Sequence, residues 1–160
     1  MNMLTHDSPV GPLTLVSEEG KLVGCFFANH DLARKKQAAK GPRDAVLDQA
    51  RKELDGFFAG RLKKFTLTLA PRGTEFQRRV WKALQAIPYG RTASYGGIAK
   101  QIGVPAAMRA VGAANGQNPI CIIIPCHRVI GANGSLRGFG GGLDRKRFLL
   151  GLERGKTPLL

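Results

Sequence analysis

Apolar and polar positions in the first seventy residues follow two periods. Residues 13–16 and 22–27 are short apolar runs separated by Ser17-Glu18-Glu19-Gly20, the pattern of a β-hairpin. Residues 32–43 are polar and basic and close on Gly41-Pro42, so they read as a loop or a short helix. From Asp44 the spacing changes. Leu47, Ala50, Leu54, Phe57 and Phe58 share one helical face, and Gly60 supplies a stop. Phe65, Leu67 and Leu69 then alternate with Thr66 and Thr68, as in a half-buried strand. The stretch predicts a small antiparallel sheet with a helix against it.

Ala70-Pro71-Arg72-Gly73 interrupts the pattern and reads as a linker, which divides the chain into an α/β domain over 1–70 and a second domain over 71–160. The second domain is mostly helical. Thr74 with Gln77 is a capping-box pair, and Phe76, Val80, Leu84 and Ile87 form the stripe of the helix they open. Pro88-Tyr89-Gly90 ends it. A helix over 98–102, a turn at Gly103 and a second helix over about 105–114 match a helix-turn-helix. The overall class is α+β, with the second domain winged-helix-like.

Ala106, Ala107, Ala110, Ala113 and Ala114 surround Arg109 on the second of these helices. A major-groove reader presents several polar side chains. Small residues with one arginine instead suit close approach to the minor groove with Arg109 inserted, the alternative being an alanine-rich core helix with Arg109 at its surface. Charge favours the nucleic-acid reading. Residues 1–70 hold 11 basic and 8 acidic residues, whereas residues 71–160 hold 14 basic and 3 acidic. So polarised a chain attracts polyanions.

Apolar residues make up 43% of the chain, enough for a real core. No run approaches the length of a membrane span, and residues 1–9 lack a basic-then-apolar leader. The expectation is a cytoplasmic monomer, nucleoid-associated in a prokaryote or nuclear in a eukaryote. Cys25, Cys121 and Cys126 are an odd number with no CxxC and read as free thiols. Together with His6, His30 and His127 they match no zinc spacing, so no metal or cofactor is expected.

Residues 120–124 form an apolar run that predicts a buried strand leading into Pro125-Cys126-His127-Arg128. A strand that ends on Cys and His is a good place for a nucleophile. The thiolate is the reactive form, and His127 or Arg128 can favour it. Neighbours on an extended chain point to opposite sides, so His127 needs a bend or a bridging water to reach Cys126. Cys126 as a packing residue, or as half of a Cys–His hydrolase, stays open at this level. Asn133-Gly134 marks a turn, and Gly138-Phe139-Gly140-Gly141-Gly142 is a loop lacking the strand–helix context of a dinucleotide fingerprint. Asp144 reads as the cap of a closing helix through Leu149, Leu150 and Leu152. Glu153 at its end is one of three acids in the basic half, so a basic partner is expected.

Asn118-Pro119 together with Ile124-Pro125-Cys126-His127-Arg128-Val129 resembles the active-site signature of the O6-alkylguanine-DNA alkyltransferases, the methylated-DNA–protein-cysteine methyltransferases. Gly73-Thr74-Glu75-Phe76-Gln77 with Val80-Trp81, Ser94-Tyr95, Arg109-Ala110-Val111-Gly112, and Leu149-Leu150 with Leu152-Glu153 fit the same family in order. The resemblance covers 73–153 closely and the front half loosely. It implies a ribonuclease H-like first domain, and single-turnover transfer of an alkyl group from a flipped-out guanine in double-stranded DNA to Cys126. His127 is then the base acting through a water, with Glu153 orienting its imidazole. Tyr95 helps to rotate the nucleotide and gives a proton to the departing guanine. Arg109 fills the vacated place in the stack, on a minor-groove face that includes Ala106, Ala107 and Ala110. Asn118 is a hinge, and Val129, Phe139, Gly140 and Gly141 frame the base. O4-alkylthymine as a second lesion is left open. Phe139 stands where many members carry tyrosine, and the zinc site of some vertebrate members has no matching ligands, Cys25 and His30 included. A lesion-binding module without chemistry, as in the alkyltransferase-like proteins, lacks the cysteine that is present here.

Overall fold

A computed structural model describes residues 1–29, 44–136, 139 and 141–155. The reading of 32–43, and those of His30, Gly138 and Gly140, lie outside these residues. The chain forms two compact units, Met1–Arg72 with Pro119–Ile123, and Gly73–Asn118 with Ile124–Leu160. The first therefore borrows a segment from the middle of the second half, which a split at one point along the chain does not show.

In the first unit β1 (Asn2–His6), β2 (Leu13–Glu18) and β3 (Lys21–Phe27) form an antiparallel sheet in that order. The expected hairpin is present. Glu19 and Gly20 both adopt positive φ, 52° and 75°, as a two-residue hairpin turn demands. Strand β1 is an addition; its residues give only a weak alternation. Helix α1 (Ala45–Phe58) starts where Asp44 accepts a hydrogen bond from the Leu47 amide at 2.9 Å. The same carboxylate takes Ser17 Oγ at 2.5 Å and Asn2 Nδ2 at 3.0 Å, so the cap also ties the helix to two strands. Leu13, Leu15, Leu22, Leu47, Leu54 and Phe57 are fully buried between helix and sheet.

Two expected strands are shorter than their patterns. Residues 65–69 alternate in exposure as anticipated, yet only Leu69 pairs, in a parallel bridge to Leu22. Phe65 turns instead to the Phe57 ring, with centroids 5.5 Å apart. The isoleucines of the run 120–124 are buried and Cys121 is half-buried, but its pairing ends with Ile120, bridged to Cys25. The Ile123 amide then donates to the Cys121 carbonyl at 2.8 Å, around Ile122 at φ 73°. This is a γ-turn with a β-branched residue in the left-handed region, an expensive conformation that the full burial of Ile122 helps to offset.

The second unit opens with α2 (Glu75–Gln85), whose Thr74–Gln77 capping box is formed in both directions. Val80, Trp81 and Leu84 are its buried face, while Phe76 is only half-buried. Trp81 Nε1 donates to the Ala114 carbonyl at 2.8 Å. After β4 (Ala93–Ser94) comes α3 (Tyr95–Gln101), which begins earlier than the apolar spacing suggests because Ser94 caps it through the Gly97 amide. Helix α4 (Met108–Gly116) begins later. Ala106 and Ala107 precede it, held in a turn by the Ala107 amide bonding to Val104. A 3-10 turn (Cys126–Arg128) leads to β5 (Val129–Ile130), which pairs in parallel with β4. Helix α5 (Leu143–Glu153) closes the unit. Asp144 does not cap it. Gly142, at φ 95°, holds the cap position without a side chain, and Asp144 in the first turn pairs with Arg147 at 3.5 Å. Among the described residues no helix is long and apolar enough to cross a membrane.

The two helix caps should differ in weight. Thr74→Ala removes one exposed cap and should cost about 1 kcal/mol. Asp44→Ala also strands the fully buried Ser17 hydroxyl and should cost about 2 kcal/mol or more. Chemical denaturation of both variants checks the order, and equal losses would contradict it.

Candidate active site

Cys126 enters a 3-10 turn rather than the end of a strand. Its amide bonds to the Ile124 carbonyl at 2.8 Å, across Pro125 at φ −80° and ψ 65°, and the Val129 amide returns to the Cys126 carbonyl. Successive side chains in such a turn are no longer opposed, which removes the difficulty that an extended chain would have posed for Cys126 and His127. The thiol is nearly buried, at 3% exposure, and none of the three cysteines is in a disulfide.

His127 and Glu153 are brought together in the interior. The His127 Nε2–H donates to Glu153 Oε2 at 2.6 Å. Arg128 clasps the same carboxylate, with Nε on Oε1 at 2.8 Å and Nη2 on Oε2 at 3.0 Å, while Nη1 reaches the Ile87 carbonyl at 2.8 Å. The expected basic partner of Glu153 is therefore Arg128, and Arg128 is committed to the carboxylate rather than to the cysteine. The guanidinium also lies over the Tyr89 ring, 5.7 Å from its centroid. Burial pushes Glu153 upward, but the hydrogen bonds from His127 and Arg128 and the guanidinium charge outweigh it and hold the carboxyl at about 2. Burial pushes His127 down; the Glu153 contact opposes this only in part. The imidazole is thus neutral near neutral pH, with Nε2 carrying the hydrogen. Its Nδ1 is buried without a hydrogen-bond partner among the described residues.

Tyr95 reaches the site because β4 and β5 pair in parallel, Ser94 beside Ile130, which sets the first turn of α3 next to the segment after Cys126. Helices α3 and α4 cross at glycine. A Cβ on Gly112 would stand 3.8 Å from Tyr95 Cδ1. Burial raises the pKa of Tyr95, and negative charge on Cys126 raises it further, so the phenol keeps its proton. Asn118, just past α4, donates through Nδ2 to the Ile124 carbonyl at 2.8 Å. Arg109, Ala106 and Ala110 are exposed, and Ala107 is half-buried. Val129 is fully buried, Gly141 is buried and Phe139 half-buried. Among the described residues no three or more His, Cys, Asp or Glu side chains cluster as metal ligands would.

Three residues escaped the sequence reading. Lys146, fully buried, donates from Nζ to the Val129 carbonyl at 2.5 Å and lies 5.8 Å from the Phe139 ring centroid. Burial lowers its pKa, and charge on Cys126 works against that. Lys146, Leu149, Leu150 and Glu153 fall at helical spacing, a signal hidden by the basic run around Lys146. Asn115 donates from Nδ2 to the Cys126 carbonyl at 3.3 Å; it shares the α4 face that leads to Asn118, three residues on. Met108, 53% exposed beside Arg109, is a large apolar side chain among the small ones.

The sequence model of the 6-O-methylguanine DNA methyltransferase DNA-binding domain matches residues 75–155, and that of the family's ribonuclease-like domain matches residues 3–71. The chain belongs to the 6-O-methylguanine DNA methyltransferase family. It is 52% identical over 155 residues to a methylated-DNA–protein-cysteine methyltransferase of Mycolicibacterium paratuberculosis, covering 96% of this chain and 93% of the relative. Over 150 residues it is 51% identical to one of Methanosarcina acetivorans, covering 92% and 94%. The crystal structure of Mycobacterium tuberculosis OGT in complex with DNA matches it with a TM-score of 0.89 at 50% identity, over 99% of this chain and 96% of that one. Family membership accounts for both units, the first a ribonuclease-like sheet with helix and the second a helical DNA-binding unit.

The depressed Glu153 pKa fixes a pH dependence. A carboxyl held near 2 when folded and near 4.5 when unfolded contributes stability that is complete above about 4.5 and is lost as pH falls toward about 2. Glu153→Gln should be less stable than the parent by about 3 kcal/mol or more at pH 7, because Arg128 is left buried and uncompensated. The gap should narrow below about pH 4.5. Denaturation at several pH values checks it, and a gap that stays constant into acid would refute the assignment.

Proposed function

We propose that this protein repairs O6-alkylguanine in double-stranded DNA by moving the alkyl group irreversibly to its own Cys126. The observation that carries the reading is the buried His127–Glu153 pair next in the chain to the buried Cys126, in a unit that also presents Arg109 on the exposed face of a helix. A base inside a duplex cannot meet a thiol that is 3% exposed, so the nucleotide must leave the stack and enter the protein. Contacts to phosphate by the basic half supply affinity without sequence preference. Helix α4 then lies in the minor groove on Ala106, Ala107 and Ala110, with Arg109 taking the place of the everted base.

The chemistry needs a base at one end and an acid at the other. Neutral His127 takes the Cys126 proton through a bridging water, and Glu153 fixes the imidazole with Nδ1 as acceptor. The thiolate sulfur attacks the alkyl carbon. A carbon–sulfur bond forms, the carbon–O6 bond breaks, and its electron pair stays with the guanine. Tyr95 gives that guanine a proton and is reprotonated from the pool that His127 filled. Asn118 ties the end of α4 to the turn carrying Cys126, while Val129, Phe139 and Gly141 frame the base. The thioether product is stable, so each molecule acts once, without a cofactor.

Incubation with a methylated duplex should add one methyl, found by peptide mapping on Cys126. A protein that binds the duplex and stays unmodified would overturn the proposal. Cys126→Ala should abolish transfer and keep binding. Arg109→Ala should slow transfer from duplex DNA by roughly tenfold or more in single-turnover kinetics, and an unchanged rate would remove Arg109 from base flipping.

A further inference from the structure

Asn115 lies on the buried face of α4 at 1% exposure. Its Nδ2 donates to the Cys126 carbonyl, which places the side-chain amide beside the peptide that joins Cys126 to His127. The other end of that amide, Oδ1, is buried and has no hydrogen-bond partner among the described residues. His127 Nδ1 is in the same condition. A buried polar atom left unmatched loses its hydration without replacement, so two such acceptors, on residues that both adjoin Cys126, call for a shared donor.

We propose that Asn115 is a positioning residue for the proton relay, its Oδ1 and His127 Nδ1 jointly accepting the two hydrogens of one water whose oxygen faces the Cys126 thiol. The inference rests on the reading of Cys126 as alkyl acceptor. The valences close without remainder. The thiol S–H donates to the water oxygen, one O–H donates to Nδ1 and the other to Oδ1. In the ionisation step the S–H bond breaks and its proton joins the water oxygen as the O–H aimed at Nδ1 passes its proton to the imidazole. The water is regenerated, the sulfur is left as thiolate and His127 becomes imidazolium beside Glu153. Asn115 moves no proton. It prevents the water from turning its second hydrogen toward the thiol, and so keeps a lone pair directed at the proton that must leave.

The titratable groups around this water are Tyr95 from α3, His127 and Arg128 from the 3-10 turn, and Lys146 and Glu153 from α5. Asn115 is the uncharged member contributed by α4. Its replacement leaves every charge in place, and a changed pH response reports the relay rather than a new electrostatic field.

The test is the rate of methyl transfer from saturating methylated duplex to the full-length protein, in a single turnover, across pH. Asn115→Leu, close in size but unable to accept, should bind the duplex, react about tenfold more slowly near neutral pH, and regain rate as pH rises. Asn115→Ser, which keeps an acceptor, should lie between the two and decides the matter if the leucine variant does not fold. A folded variant whose pH profile superimposes on that of the parent, whatever its melting temperature, overturns the role of Asn115. A parent protein that leaves Cys126 unmethylated overturns the proposed function itself.

Discussion

The second unit turns on one carboxylate. Glu153 is almost wholly buried and is matched by three short hydrogen bonds from two residues. A buried carboxylate with only His127 for company would be compensated by protonating the imidazole, and a protonated imidazole cannot accept a proton. Arg128 changes this. Its guanidinium is permanently charged and grips both oxygens, so the carboxylate is neutralised without calling on histidine. Its positive charge also works against a second cation at His127. Glu153 is then free to orient the ring, and the ring is free to act as a base. The three residues come from two elements, the 3-10 turn and the end of α5, so the same contact locks the last helix onto the segment that bears the thiol.

Short backbone and side-chain contacts bring the other elements to the site. The two-residue parallel ladder between β4 and β5 holds the first turn of α3 beside Val129. Asn118 and Asn115 bond to the carbonyls of Ile124 and Cys126 on either side of Pro125. The backbone around Cys126 is thus held from outside the turn as well as within it, each of these carbonyls accepting one side-chain amide besides the backbone amide of its own turn. Helix α4 therefore carries Arg109 on its exposed face and bonds to the cysteine turn from its buried one.

What the sequence made legible was local. The capping box at Thr74 and Gln77, the hairpin turn and the helix from Asp44 depend on neighbours a few residues apart, and each is where its pattern placed it. Elements that depend on distant partners were misjudged. Residues 65–69 and 120–124 have the composition of strands, yet each finds only one paired residue. Helix α3 starts at its serine cap, not at its first buried isoleucine. Asp144 lost the cap position to the geometry of Gly142. Within the site, the motif around Cys126 marked out the residues of the 3-10 turn, but not which partner Arg128 would choose. Lys146 was concealed because a lysine between two arginines suggests solvent, and only its phase relative to Leu149, Leu150 and Glu153 argues otherwise.

Burial acts on His127 and Tyr95 in opposite senses. It disfavours charge wherever charge appears, so it lowers the pKa of His127, whose protonated form is the charged one, and raises that of Tyr95, whose deprotonated form is. One cause therefore leaves a neutral base on the cysteine side and a neutral acid on the other, both at the same pH. Transfer of an alkyl group from an oxygen to a sulfur asks for that division, because a proton must leave the nucleophile before attack and another must reach the departing base. Lys146 completes the balance. Its ammonium is disfavoured by burial and favoured by negative charge on Cys126, within a site that otherwise resists charge.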